Sequence, residues 1–371
     1  MTQEYDDIAA MLRESAEDFL ARQSRPARAT IGNPRMIDRT TWRSLAQLGW
    51  LGIAMPEALG GAGQGLRVIG ELSEVFGEHA FAEPYVEAAV VPSLLLRHAT
   101  QDESTANLGA VFAAGDRILS VAWQERADQI DPPSEPLTLI SEGCVSGRKV
   151  FTPAVEDDGV LLISARGEQG AVIVGIEAQA SGVSIERHAT AGGHTSMVAF
   201  NHATPAFHIA RGESAHVVLR SALDGARIAA SALLSGLAAA ALRRTVEYVS
   251  QRRQFGRPIG AFQSIQHRCA DLHIAVELAQ ASWRHAATLH DHAPGDVANA
   301  AAISAAKARA SDVALAVTRA AVQMHGAIGF TDECDIGIYV RTAMQYSAWL
   351  GGASAHRRRF LAHRARELIH D

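Results

Sequence analysis

Apolar positions along this chain change their spacing twice, and each change marks a new kind of element. Up to about residue 115, apolar residues recur at helical intervals, as at Ile8, Met11 and Leu12 and again at Leu94, Leu95 and Leu96, with glycine-rich turns between. From Leu119 to about Ile209 the texture becomes short β-branched runs, such as Gly159–Ile163 and Ala171–Val174, interrupted by Gly, Pro and Asp. From about Glu213 helical stripes return: Leu234, Leu237, Ala238, Ala241, Leu242, Val246 and Val249 share one face, and Ile265, Cys269, Leu272, Val276, Ala279 and Trp283 share another. A third, alanine-rich segment runs from Val297 to Gln323 and stops at Gly326. The pattern predicts an α+β chain with an N-terminal helical domain over 1–117, a middle β domain over 118–212 and a C-terminal helical bundle over 213–371. In that four-helix bundle abundant alanine lets helices approach closely. Gln129–Pro136 is the one proline-rich patch and reads as a loop.

With 371 residues, 48% of them hydrophobic, the chain can bury a large core and is too long for one ordinary domain. The net charge of −6 has no basic stripe to go with it, which argues against a nucleic-acid partner. No uninterrupted apolar run reaches bilayer length and no charged-then-apolar leader follows Met1, so a soluble, cytoplasmic protein without a membrane partner is expected. Cys144, Cys269 and Cys334 form no CxxC pair, which disfavours structural zinc and a disulfide framework. Sixteen histidines include His290 and His292 beside Asp291, but nothing has metal-ligand spacing; no metal is expected and both histidines read as surface residues. Arg357, Arg358 and Arg359, with Arg364 and Arg366, read as a solvated helix face. Gly60-Gly61-Ala62-Gly63 lacks the lysine of a phosphate loop and reads as a turn.

The chemically pointed stretch is Ser250–Leu272. Arg252 ends a long apolar-striped segment, Gly256 supplies a left-handed stop, Pro258 forbids continuation, and Gln263 opens the next helix. A planar guanidinium beside a helix start matches the oxygens of a diphosphate.

That string resembles the first C-terminal signature of the acyl-CoA dehydrogenase family. Gln323-Met-His-Gly-Ala-Ile-Gly-Phe330 is similar to the second, and Leu48-Gly-Trp-Leu-Gly-Ile-Ala-Met-Pro-Glu-Ala-Leu-Gly-Gly-Ala-Gly63 to an N-terminal segment of the same family. The resemblance implies the family's α, β, α layout and FAD as cofactor. It implies that a glutamate takes the α-proton of an acyl-CoA thioester while the β-hydride passes to the flavin, the protein supplying base, orientation and hydrogen bonds to the thioester oxygen. By the same resemblance Arg252 would hold the FAD diphosphate of a neighbouring subunit, with Gln254 and Phe255 beside it. Gln263 and Gln323 would face that cofactor, and Gly326 and Ala327, the latter in place of a frequent glycine, would let backbone approach it. An electron-transfer flavoprotein would be the acceptor.

Three departures qualify the resemblance. Leu350, in Trp349-Leu350-Gly351-Gly352, stands where the family carries its glutamate. Ala226 stands at the alternative position for the base, just before Arg227, which matches a recurrent arginine of the substrate site. Trp123–Gln129 replaces the family's flavin-covering segment, and in Ser146–Ala154 Phe151 lies near a usual tryptophan and Thr152 near a usual threonine. The losses fall on one side of the cofactor and the Arg252 corner is kept. This resembles the base-lacking subunits of heterotetrameric bacterial acyl-CoA dehydrogenases of steroid and related CoA-ester degradation, so a heterotetramer is favoured over a homotetramer. Alternatives are a homomeric dehydrogenase whose base is Asp224 or Glu247, a flavin-dependent monooxygenase on the same fold, and a non-catalytic scaffold subunit. Asp224 reads as structural and Glu247 as a solvated charge.

Overall fold

The computed structural model describes residues 2–22, 35–99, 102–190, 193–294, 296–331 and 333–370. Helices open the chain: α1 (Thr2–Arg22), α2 (Arg39–Gln47), α3 (Leu66–Glu78), α4 (Val91–Leu96, entered through a π-helical turn at Val86–Val90) and α5 (Glu103–Ala113). Eight strands follow: β1 (Leu119–Ala122), β2 (Leu139–Ser141), β3 (Cys144–Pro153), β4 (Val160–Gly167), β5 (Gly170–Glu177), β6 (Val183–Ala189), β7 (His194–Ala203) and β8 (Phe207–Arg211). The rest is the long helix α6 (Glu213–Gln251), the two-residue strands β9 (Arg253–Gln254) and β10 (Arg257–Pro258), α7 (Gln263–His292), α8 (Val297–His325), α9 (Ile336–Ala348) and α10 (Ala353–His370). The succession of helices, sheet and helices is the one the spacing predicts.

By packing, the chain divides into two compact units, each assembled from separated stretches. One comprises residues 29–65 and 82–226 and holds the sheet, in the order β6-β7-β3-β2-β4-β5-β8 with β1 pairing parallel to β4. Alternating inward residues of its strands, among them Val145, Leu161, Ile163, Val174, Ile176, Val198 and Phe200, make its core. Glu83 and Glu156 anchor the chain ahead of α2 from below: Arg35 pairs with Glu83, and Glu156 accepts from the Ile37 N–H at 2.9 Å.

The other unit comprises residues 1–28, 66–81 and 227–371. In it α8 packs against α7, α9 and α10, and α3 packs against α1 and α7. The Asp291 carboxylate takes the N–H groups of Leu66 and Arg67 at 2.7 and 2.9 Å, satisfying donors that a helix start leaves open. α3 and α6 cross with bare backbone in contact. A Cβ on Gly77 would lie 1.9 Å from the Leu233 carbonyl oxygen, and one on Gly236 2.0 Å from that of Glu74.

Both expected stripes are buried in large part; Val246 is 40% exposed, and Ile265 and Cys269 are half-buried. Between Ala226 and Ala241 the helix is covered almost all round rather than on one face. α6 and α8 are each long and apolar enough on average to cross a bilayer, although neither holds an uninterrupted apolar run of that length; 94% of the α6 window is buried within the protein, as in a core helix. His290 is also a correction, being buried, since its face of α7 turns inward. Arg359 is buried as well, donating to Ala300 O and to Ser304 Oγ at 2.9 Å, whereas Arg357 lies exposed and pairs with Asp312; the side chain of Arg366 lies outside the described residues. Gly60 to Gly63 do form a turn, closed so tightly that a Cβ on Gly61 would meet Met55 O at 2.2 Å.

Candidate functional site

The end of α6 builds the first cluster. Arg252 keeps its N–H on Tyr248 O and gives its carbonyl to the Ile259 N–H, both at 2.8 Å, so the chain leaves the helix in a fixed direction. β9 and β10 then close a hairpin through Phe255 (φ 53°) and Gly256 (φ 80°), two successive left-handed residues that match the twist of a tight hairpin. This turn throws Phe255 outward, 89% exposed, its ring edge-on to Phe262 at 6.1 Å. Arg257 stacks over Phe262 at 4.1 Å, and Gln263 begins α7 with its amide near His267. Arg252 is exposed, and its guanidinium has no hydrogen-bond or ion-pair partner among the described residues.

α8 ends at the same place. The Tyr248 and His325 rings stack at 4.3 Å, the Tyr248 hydroxyl donates to His325 O at 3.3 Å, and Cys269 Sγ lies 3.9 Å from Met324 Sδ. The helix stops at Gly326 (φ 66°), around which a Cβ would meet nothing within 4 Å. Gln323, Gly326 and Ala327 are all exposed there. Thus the ends of α6 and α8 and the start of α7 gather Arg252, Gln254, Phe255, Gln263, Gln323, Gly326 and Ala327 into one corner. Its donor set is a free planar cation, three primary amides and an open glycine turn, without a carboxylate among them. That chemistry fits a diphosphate flanked by polar heterocycles.

The second cluster surrounds Leu350. α9 ends at Ala348, and the turn Trp349–Gly352 passes through Leu350 at φ 59° and Gly351 at φ 105°. Leu350 is buried at 6% exposure. Beneath it lie Lys307 and Arg227, both fully buried, and His356. Burial, helped by the Arg227 charge, lowers Lys307 to about 7, and burial with the charges of Arg227 and Lys307 lowers His356 to about 3. The charges that act most on these two groups are cationic, so the Leu350 turn stands in a positive field.

Two helices measure the gap between the clusters independently. From Arg227 to Tyr248 on α6 is about 31 Å, and from Lys307 to His325 on α8 about 27 Å, at the standard rise per residue. The two clusters therefore lie toward opposite ends of α6 and α8. Neither alternative base improves on this. Asp224 is buried and engaged by other residues, while Glu247 is exposed on α6.

The sheet-bearing unit shows what became of the flavin-covering segment. Gln129 closes residues 124–129 on themselves by accepting from the N–H groups of Glu125 and Arg126 at 2.7 and 3.1 Å. The Glu125 carboxylate turns inward to the N–H groups of Leu137 and Thr138 and to Lys149 Nζ, all at 2.7–2.8 Å. Burial pushes Glu125 up most strongly, but the hydrogen bonds from Lys149, Leu137 and Thr138 together with the Lys149 charge outweigh it and leave the acid below its ordinary value; Lys149 falls to about 8 by burial. A bulge in β3 between Lys149 and Thr152 reverses the facing there. Phe151 (φ 51°) is half exposed, and the Thr152 hydroxyl is buried without a hydrogen-bond partner.

Sequence reasoning missed Lys307, His356 and the Glu125–Lys149 pair. Lys307 had a signal: it is a lone cation on an alanine face otherwise turned inward. Among the described residues, no group of three or more His, Cys, Asp or Glu is placed to hold a metal ion.

Comparison with known proteins places this geometry in context. Residues 6–110 match the acyl-CoA dehydrogenase N-terminal domain and residues 216–365 the acyl-CoA dehydrogenase C-terminal domain. The acyl-CoA dehydrogenase IpdE2 of Mycobacterium tuberculosis is 31% identical over 345 residues, 90% of each chain. Among solved structures, the Tcur3481–Tcur3483 steroid ACAD superposes with a TM-score of 0.84 at 30% identity over 99% of both chains. The ChsE4–ChsE5 complex from Mycobacterium tuberculosis gives 0.81 at 25% identity, over 100% of this chain and 98% of the other. The chain belongs to the acyl-CoA dehydrogenase family, flavoprotein oxidoreductases that act on CH–CH bonds with FAD as cofactor.

Proposed function

We propose that this chain is one subunit of a two-chain acyl-CoA dehydrogenase, in which it lends its Arg252 corner to FAD and a partner chain of the same family supplies the catalytic carboxylate. The observation that carries the reading is the separation of the two clusters: a free cationic corner at one end of α6 and α8, and about 27–31 Å away a turn with Leu350 where an acid would stand. General-base catalysis is worth roughly 10²–10⁴ in rate, so a chain with Leu350 and Ala226 at both base positions needs the group from elsewhere.

In this assignment Arg252 grips the diphosphate of the cofactor, and Gln254, Gln263 and Gln323 bond its polar edges. Phe255 covers an apolar face, while Gly326 and Ala327 admit backbone. Bound FAD supplies the hydride acceptor for the substrate's Cβ–H, and the Cα proton goes to the partner's carboxylate. Arg227 faces the acyl locus of this chain. The inward turn of Glu125 supports the same division, because this chain's own sheet has spent that carboxylate on Lys149 and two backbone N–H groups. The two solved structures, whose names give chains in pairs, support a paired assembly. The exposed Phe255 and Phe330, at 89 and 82%, are the apolar surface that such a partner would cover. The reading extends to a heterotetramer in the cytoplasm, with domains over 1–117, 118–212 and 213–371, acting on a steroid-derived or related acyl-CoA and passing electrons to an electron-transfer flavoprotein.

Co-expression with paralogous chains encoded nearby tests it. A stable complex that oxidises acyl-CoA only when both chains are present, and loses turnover when the partner's glutamate becomes glutamine, is the expected result. Full turnover by this chain alone would overturn the reading.

A further inference from the structure

A lysine enclosed by protein with no carboxylate beside it is costly, and a methionine of similar length would fill the same space without that cost. Lys307 nevertheless sits at 0% exposure on α8, and its ammonium is engaged by oxygens alone: Tyr346 O at 2.8 Å, Ser311 Oγ at 3.2 Å, Gly351 O at 3.3 Å and Ser347 O at 3.4 Å. Tyr346 and Ser347 belong to the last turn of α9, whose carbonyls have no partner within the helix. Gly351 belongs to the turn that follows. One side chain from a different helix therefore caps α9 and ties down the loop beyond it, with its charge at the negative end of the helix dipole.

A second group holds the same turn from the other side. His356 donates Nε2–H to Leu350 O at 3.0 Å, and its N–H goes to Gly352 O at 3.1 Å. The carbonyl can only accept, so Nε2 carries the proton, and Nδ1 is buried without a partner. Between these two anchors Leu350 adopts φ 59°, a conformation that is strained for a residue with a Cβ and persists only where the surroundings over-determine it. Trp349, edge-on to Tyr346 at 5.9 Å, is set by the same turn.

We propose that Lys307 is a positioning residue: clasped by the carbonyls of Tyr346, Ser347 and Gly351, it holds the Trp349–Gly352 turn in its left-handed conformation and so fixes the wall that Leu350 presents at the acyl locus. The inference rests on the proposed function only for the turn's place beside the acyl group; the clamp itself stands on the contacts above. Lys307 remains a donor in either protonation state, which suits a pin better than a switch.

The test uses the full chain labelled with 5-fluorotryptophan, its five fluorine resonances assigned with Trp349→Phe and the corresponding changes at Trp42, Trp50, Trp123 and Trp283. Lys307→Met should move the Trp349 resonance and leave the other four in place. Its loss of Tm should be reduced to about half or less in a Leu350→Gly background, where the left-handed turn no longer needs enforcing. Should Lys307→Met alone not fold, the Lys307→Met/Leu350→Gly double variant should. An unmoved Trp349 resonance, five resonances moving together, equal Tm losses in both backgrounds, or a double variant that also fails to fold would each overturn the proposal. The readout needs neither flavin nor a partner, so it is separable from the failure of the two-chain reading.

Discussion

Replacing Arg252 with alanine separates cofactor binding from stability more cleanly than any other change to this chain. The guanidinium is exposed and has no partner among the described residues, so its removal leaves no buried group there stranded. Surface changes of this kind stay within about 0.5 kcal/mol, which for a chain this long moves Tm by less than about 2 °C. Against a diphosphate the same group offers two parallel charge-assisted hydrogen bonds, and loss of such an interaction costs about 1.5–3 kcal/mol. At about 1.4 kcal/mol per factor of ten, the complex should release its flavin with an affinity weakened roughly 10- to 150-fold. Arg252→Lys should fall between, because an ammonium is a point charge without the planar fork. Flavin fluorescence recovered on dilution of the purified complex reads the affinity, and differential scanning fluorimetry reads the stability. Unchanged flavin retention would refute the corner's role. A Tm loss of the flavin-free chain as large as that of a core variant would show that Arg252 is a structural residue.

Three further outcomes follow from buried contacts. Gly77→Ala and Gly236→Ala should each cost about 1–3 kcal/mol or more by urea unfolding, because the new methyl meets a backbone carbonyl at 1.9 or 2.0 Å, whereas Gly49→Ala, with nothing within 4 Å, should cost only its left-handed strain. Lys149→Met should cost about 3–5 kcal/mol by leaving the buried Glu125 carboxylate without its cation, and Glu125→Gln in the same chain should recover part of that loss. His356, lowered to about 3 by burial first and the neighbouring cations second, binds fewer protons folded than unfolded between about pH 3 and 6.5. Its stability contribution is complete above that window and declines through it by at most about 1.4 kcal/mol per pH unit as pH falls. Tm measured from pH 8 to 5 should therefore fall more steeply in the parent than in His356→Gln, and parallel curves would contradict the assignment.

The fold was legible where a residue's own backbone preference or a long apolar stripe dictated it. Gly326 ends α8 where its left-handed freedom is needed, the stripe from Leu272 to Trp283 is buried, and the run Gly159–Ile163 begins the core strand β4. That Leu350 and Ala226 stand where the resembled family carries its base could be read directly, since it needs only the identity of two residues. Partnership across long sequence separations could not. Glu125 and Lys149 meet over 24 residues, and Lys307 meets Tyr346 over 39, and no local pattern announces either. His290 and Arg359 read as surface groups because polarity alone suggested it, yet Arg359 is buried against Ala300 and Ser304, where hydrogen bonds replace water. Thr152 matches a usual threonine of the family only by position in the string, and a bulge in β3 buries it. A one-residue irregularity reverses the face of a strand, which spacing cannot foresee.

The central claim is that this chain keeps the grip on a cofactor and has lost the acid that works beside it. Flavin absorbance per polypeptide, measured on the chain purified alone and again with its paralogous partner, tests that claim most directly. The account predicts a nearly colourless chain alone and about one FAD per pair of unlike chains in the active complex, since each cofactor needs one Arg252 corner and one base-bearing partner. A chain that purifies alone with one FAD per polypeptide and turns over acyl-CoA unaided would contradict it.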